Sequence, residues 1–193
     1  GEAQARLAAM LLLTLRGTPT LYYGDEIGLG HVPIPPGRAQ DPWERNEPGH
    51  GRDPERTPMQ WDESPQAGFS TAEPWLPLSE DWATRNVESQ RSDPGSMLTL
   101  HRRLLALRRD HAALAVGDYR GLPVEAADVF AYERSADGES LRVILNFGDA
   151  PQTRPLPEGD WGVLLSTLAG RAGERIRAHL ALAPAEGVIL RRA

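Results

Sequence analysis

The sequence contains no cysteine, which excludes disulfides and thiolate metal sites and leaves the redox compartment unreadable from thiols. Lysine is absent too. All 21 basic residues are arginine, a usage that a GC-rich genome explains as well as selection for bidentate chemistry does, so no function follows from it. Long apolar runs are also missing. The longest, residues 7–15, is interrupted by Thr14 and is far shorter than the ~20 residues that span a bilayer. It also lacks the basic flank and small-residue cleavage site of a signal peptide, and no membrane partner is expected. There is no phosphate-cradling glycine loop, because "GLG" at 28–30 lacks the third glycine and the following helix. No serine sits in a nucleophile elbow. The histidines at positions 31, 50, 101, 111 and 179 stand singly, without the pairing that a metal site requires. Neither a metal nor a cofactor is expected.

What is present is an ordinary globular composition, 40% apolar and 25% charged over 193 residues, enough for one domain or two small ones. A formal charge of −6 and a pI near 5.4 argue against a nucleic-acid partner, since phosphate binding needs a concentrated basic surface. Small neutral ligands remain open. Gly1 is followed at once by a helical pattern, with neither a start methionine nor a capping residue, so the chain is expected to be a piece of a longer one.

Apolar residues at helical spacing predict a first helix over residues 2–16, packed on more than one side, with Gly17 as its stop. "TPTLYY" at 18–23 reads as a short buried strand, and the helix–turn–strand order suggests an α/β unit from a parallel sheet. Between residues 24 and 93 no period is sustained. Ten of the 17 prolines and four of the five tryptophans (Trp43, Trp61, Trp75, Trp82) fall there. Disordered tracts are poor in aromatics, so the stretch reads as an ordered lid or wall; the plainer reading is that the tryptophans glue the loop to its own body. Asp93-Pro94 reads as an N-cap with proline at the first helical position, opening a helix to about residue 110 with Met97, Leu100, Leu104 and Leu107 on one face. Its arginines, Arg108 and Arg109 at the end included, read as a solvated face.

Beyond Gly117, short apolar or alternating runs at 129–134, 141–147, 161–166, 177–183 and 187–192 predict strands, with a hairpin at Asp137-Gly138. Their spacing suggests an antiparallel sandwich or small barrel. The carboxylates with a claim to chemistry are Asp25-Glu26, Asp53, Glu55 and Asp62-Glu63. Adjacent carboxylates on a strand-to-loop transition point apart, so loop-capping is the expected role of Asp25 and Glu26.

Six blocks carry a resemblance: "LLLTLRGTPTLYYGDEIGL" (11–29), "RDPERTPMQWDES" (52–64), "AGFS" (67–70), "PWLPL" (74–78), "NVESQRSDPGSML" (86–98) and "LHRRLLALRRDHAAL" (100–114). In this order and spacing they resemble the α-glucosidase, oligo-1,6-glucosidase and trehalose-synthase branch of the α-amylase superfamily, glycoside hydrolase family 13. The resemblance implies a fold that is α/β plus all-β: the C-terminal piece of a (β/α)8 TIM barrel over residues 1–114, then an antiparallel β-sandwich over 115–193. Residues 20–23 would be the eighth strand, and the aromatic stretch the long loop on the catalytic face. The family's nucleophilic Asp, acid/base Glu and transition-state-stabilising Asp precede these blocks, so no catalytic residue is expected here and the chain alone is expected to be inert.

What the resemblance leaves to this chain is recognition of an α-linked disaccharide or oligosaccharide. Arg56 matches the family arginine that pairs with an early-loop aspartate and hydrogen-bonds the non-reducing-end glucose. A planar guanidinium can hold a carboxylate and keep donors for a sugar hydroxyl; the alternative is a structural arginine tying down the loop. Arg52 and Asp53 are expected to support it from behind. Gln60 and Trp61 are weaker candidates, with Trp61 expected to wedge the loop rather than stack on sugar. The implied activity of the full-length parent is that of a retaining α-glucosidase-type glycosidase, ranked above a trehalose synthase that rearranges maltose. The third reading is a non-catalytic, amylase-derived carbohydrate-binding or interaction module, which an upstream reading frame lacking strand-borne Asp and Glu would favour. Cytoplasmic location is implied by the family. Because a piece of barrel leaves edges and apolar faces uncovered, the isolated chain is expected to self-associate or swap elements; a compact monomer at all concentrations in sedimentation would contradict that.

Overall fold

The computed structural model describes residues 1–35 and 37–193; Pro36, one of the prolines of the irregular stretch, lies outside the described residues. Among these, the helices are α1 (Glu2–Thr14), α2 (Pro42–Asn46), α3 (Val87–Arg91), α4 (Met97–Asp110) and α5 (Ala112–Ala115). The strands follow them: β1 (Asp118–Gly121), β2 (Val129–Ala136), β3 (Glu139–Asn146), β4 (Gln152–Ser166), β5 (Arg175–Leu182) and β6 (Gly187–Arg192). The chain divides into two compact units, one of Gly1–Thr20 with Leu100–Ala193, the other Leu21–Thr99.

In the first unit all six strands are hydrogen-bonded into one antiparallel sheet, in the order β1-β2-β3-β6-β4-β5. The β2–β3 hairpin turns at Asp137 and Gly138, both at positive φ (51° and 80°), as the predicted two-residue turn requires. Alternation along the strands places Val129, Ala131, Ile144, Val163, Val188 and Leu190 in one apolar cluster with Ile176, Leu180 and Leu182. α1 and α5 pack against the sheet at β2 and β3, burying Leu7, Met10 and Leu13 completely, each a contribution of about 1.5–3 kcal/mol. The approach of α1 is close: a Cβ on Gly187 would stand 2.9 Å from Met10 Sδ and 3.0 Å from Leu7 Cδ2.

Two arginines finish the C-terminal end of α1, whose own last turn carries no basic residue. The last carbonyls of a helix lack intrahelical partners. Arg108 Nη1 donates to Leu13 O (2.9 Å) and Leu15 O (3.2 Å), and its Nη2 to Gly17 O. Arg134 Nη1 donates to Thr14 O (2.6 Å) from a fully buried side chain. Arg108 is therefore not on a solvated face, as its sequence position suggested; it answers carbonyls of a helix more than ninety residues earlier (|i−j| 95 and 93).

The predicted strand at 18–23 does not form. Leu21, Tyr22 and Tyr23 are exposed, and no described segment offers a ladder to pair with; β-favouring residues alone cannot satisfy their backbone groups. Among the described residues no strand precedes β1, and the region before it consists of helices and loops. α1 ends at Thr14 rather than 16, with Leu15 already extended. α4 begins at Met97, not 94: Asp93 accepts the Gly95 N–H (2.8 Å), making a local turn, and Ser96 Oγ accepts the Thr99 N–H (3.1 Å) as the helix starts. β1 and the first half of β4 were not foreseen.

The second unit is held by backbone and side-chain hydrogen bonds and a small core of Ile27, Met59, Val87 and Leu98. Its "NVESQRSDPGSML" block is structural. Asn86 and Ser89 form a reciprocal capping box on α3. Gln90 donates to Ile27 O (2.8 Å) and accepts from Leu98 N (3.0 Å), joining α3, the loop after residue 24 and the first turn of α4.

Candidate functional site

The stretch around Arg56 is organised by two buried aspartates. Pro54 permits a short 3-10 turn over Asp53–Glu55, closed by the Arg56 N–H on Asp53 O (2.9 Å). The Asp53 side chain points inward, where Oδ2 accepts Gln40 N–H (2.6 Å) and Asp41 N–H (2.8 Å). Its Oδ1 is buried and has no hydrogen-bond partner among the described residues. Asp53 thereby fixes the backbone that carries Asp41.

Asp41 is the centre of the cluster. It caps α2, with Pro42 next in the helix and Oδ1 accepting the Trp43 N–H at 2.9 Å. Its Oδ2 accepts the Arg52 N–H (3.1 Å), Arg52 Nε (3.3 Å) and Arg56 Nη1 (3.4 Å). The Trp43 N–H, then the Arg52 N–H, hold the Asp41 carboxyl below its ordinary pKa, against the opposing effect of burial. The carboxylate side chain is 1% exposed, whereas Arg56 is 36% and Arg52 63% exposed. Charge-assisted anchoring of this kind leaves the guanidinium groups oriented, with donors still turned to solvent.

Of the sequence candidates, Arg52, Asp53 and Arg56 meet around Asp41. Gln60 and Trp61 do something else. Gln60 is fully buried; with its amide oriented to suit both neighbours, it donates to Arg85 O (3.2 Å) and accepts from Trp82 N (3.0 Å). Trp61, expected to wedge the loop, has its side chain half-exposed, while its backbone bonds Ala67 O (2.9 Å) and the Glu88 N–H (3.0 Å). Asp41 was missed. Asp41-Pro42 carries the same cap signature as Asp93-Pro94, which announces a helix start but not the ties to Arg52 and Arg56.

Carboxylates here are engaged as acceptors. Asp25 takes the Tyr22 N–H (3.1 Å) and Glu26 the Gly24 N–H (2.8 Å), the loop-capping expected of them. Glu44 is held low by the Gly49 and Gly51 N–H groups, and Asp62 by Ser64. In Asp81 burial pushes upward, yet Ser79 and Arg85 hold the carboxyl low. What the Asp41 cluster offers a ligand is the pair of guanidinium groups of Arg52 and Arg56, anchored on one buried carboxylate.

Residues 1–117 match the family described as alpha amylase, catalytic domain, and residues 119–190 match a domain of unknown function, DUF3459. A probable alpha-glucosidase of Rhizobium meliloti is 37% identical over 158 residues, which are 81% of this chain and 28% of that protein. A trehalose synthase of Thermus thermophilus is 41% identical over 160 residues, 78% of this chain and 15% of that protein. The crystal structure of a trehalulose synthase from Pseudomonas mesoacidophila superposes with a TM-score of 0.85 at 31% identity, covering 99% of this chain and 38% of that one. The chain spans less than a third of the length of these two curated relatives (28% and 15%).

Proposed function

We infer the function from one premise: this chain belongs to the alpha-amylase family. We propose that residues 1–114 are the C-terminal end of a (β/α)8 catalytic barrel and 115–193 a β-sandwich domain, in an enzyme acting on α-linked disaccharides and oligosaccharides of glucose. The observation that carries the role of this chain is Arg56, pinned to buried Asp41 at 3.4 Å and still 36% exposed. A guanidinium fixed in that way supplies donors to the hydroxyls of one terminal glucose at small entropic cost. Arg52 and Asp53 hold it in place. The acid and the nucleophile come from parts of the protein outside residues 1–193.

The sequence alone ranks glucosidase first. Identity of 41% to a trehalose synthase against 37% to a probable alpha-glucosidase, together with the likeness to a trehalulose synthase fold, supports ranking an isomerase ahead of it. In both chemistries a carboxylate attacks the anomeric carbon while an acid protonates the departing oxygen, leaving a glucosyl-enzyme. A hydrolase then admits water. An isomerase keeps the released sugar, which returns through a different hydroxyl and gives that proton to the same base. Incubation of the full-length protein with maltose or sucrose tests the order: a rearranged disaccharide should form faster than free glucose. Glucose as the sole early product would restore the hydrolase.

No helix among the described residues is long and apolar enough to cross a membrane. A cytoplasmic whole protein remains part of the proposal, and cell fractionation that recovers it outside the cytoplasm would remove it.

A further inference from the structure

Arg56 stands where the chain turns inward, since Thr57, Pro58, Met59 and Gln60 after it are all buried. Its backbone is tied on both sides. Before it lies the 3-10 turn fixed by Asp53, whose carbonyl accepts the Arg56 N–H at 2.9 Å. After it, Thr57 O accepts the Tyr23 hydroxyl at 3.0 Å, from a residue 34 positions earlier. Among the described residues this is the one hydrogen bond that Thr57 makes, because its own hydroxyl is buried without a partner. Tyr22, Tyr23, Pro54 and Glu55 also line one small cavity of about 120 Å3. The phenol therefore lies beside the same turn that Asp53 fixes.

Tyr23 is itself held. Asp25 Oδ2 accepts the Tyr22 N–H (3.1 Å), the Asp25 N–H returns to Tyr22 O (3.2 Å), and Glu26 accepts the Gly24 N–H (2.8 Å), so the turn that carries the phenol is closed on both sides. The Tyr22 ring stacks on that of Tyr23, with centroids 5.2 Å apart and planes 28° from parallel. Burial, and then the Tyr22 phenol, push the Tyr23 hydroxyl above its ordinary pKa, while Arg56 acts in the opposite direction. The hydroxyl thus keeps its proton and donates, and Arg56 is within its electrostatic reach. We propose that Tyr23 is a positioning residue for Arg56: its hydroxyl, bonded to Thr57 O, fixes the backbone on the side of Arg56 away from Asp53, and so keeps the guanidinium that Asp41 anchors in one place. The inference rests on Arg56 binding the terminal glucose, as proposed above. Ordering a donor in advance reduces the entropy lost when sugar binds, so removal of the tie falls on KM rather than kcat. Asp25 and Glu26 serve the same end through Tyr22 and Gly24.

The test is a double-mutant cycle in the full-length protein, read as the initial rate at which maltose or sucrose is consumed. Tyr23→Phe removes one hydroxyl and keeps the ring. It should raise KM about fivefold, the scale of one neutral hydrogen bond, and change kcat less than twofold. In an Arg56→Ala background the same substitution should alter kcat/KM less than twofold, because the residue it positions is gone. Asp25→Ala, which frees the turn without touching the phenol, should give a smaller rise in KM that also vanishes without Arg56, and serves if Tyr23→Phe does not fold. An equal loss in both backgrounds, a fall in kcat with KM unchanged, or no effect of Tyr23→Phe in the wild-type background overturns the proposal and leaves the reading of Arg56 standing. Kinetics unchanged by Arg56→Ala alone would remove the sugar role of Arg56 and that of Tyr23 with it, so the two failures are told apart by the single Arg56 variant.

Discussion

Replacing Arg56 by alanine in the full-length protein should lower kcat/KM for a disaccharide by about 10- to 100-fold and raise KM. Two losses combine. A charged donor to a sugar hydroxyl is worth about 1.5–3 kcal/mol when the partner is left unsatisfied, which converts to that range. In addition, Asp41 Oδ2 would keep only the Arg52 N–H and Nε, so the carboxylate that orders the loop loses its second cation. Arg56→Lys should recover little, because a point charge on a flexible stem cannot hold Asp41 and a sugar hydroxyl in the same plane. The readout is steady-state kinetics on maltose and sucrose for both variants. Kinetics unchanged by Arg56→Ala would return the "RDPERTPMQW" stretch to a structural role.

The largest effect on stability is expected at Arg134, far from that stretch in sequence. Its side chain is fully buried on β2 and donates to Thr14 O (2.6 Å), Gly117 O (3.0 Å) and Asp118 O (3.2 Å). It thereby joins the end of α1, the turn after α5 and the start of β1. Burial lowers its pKa from the ordinary arginine value, with no consequence for its charge near neutrality, since arginine stays protonated there. Arg134→Ala should cost about 3–5 kcal/mol, because three carbonyls, those of Thr14 and Gly117 in buried bonds, lose their donor and a cavity opens. For a chain of this length that is a fall in Tm of roughly 10 °C. Neighbouring Tyr132 and Thr14, whose hydroxyls lie 2.5 Å apart, would be exposed to the same cavity. A melting temperature within 2 °C of wild type, on the ~2–4 °C per kcal/mol scale, would show that the carbonyls find other donors.

The sequence revealed the β domain better than the region before it, for a physical reason. Strand β5 alternates apolar and polar residues, and β2, β3 and β6 carry short apolar runs with a turn of their own at Asp137-Gly138, so local pattern and final register agree. The first half of β4 contains Pro155 and Pro157 and pairs with β5 across a register shift between Pro155 and Asp160. That pairing is decided by the partner strand, which no local pattern announces. Residues 18–23 fail in the opposite sense: the pattern suits a strand, and no neighbour within the described residues completes it. At the site, Arg56 was legible because it sits in a recognisable block. Asp41 was not, because its ties to Arg52 and Arg56 reach back over 11 and 15 residues through a loop whose path the sequence does not specify. Arg108 and Arg134 show the same limit on a larger scale, since the carbonyls they answer come from a helix about a hundred residues away (|i−j| 95 and 120).

The central claim is that this chain supplies sugar recognition through an arginine held on a buried aspartate. A crystal structure of the full-length protein with glucose bound tests it most directly. The account predicts Arg56 within hydrogen-bond distance of a glucose hydroxyl while Nη1 remains on Asp41. Glucose bound elsewhere, with Arg56 contacting only protein, would contradict it.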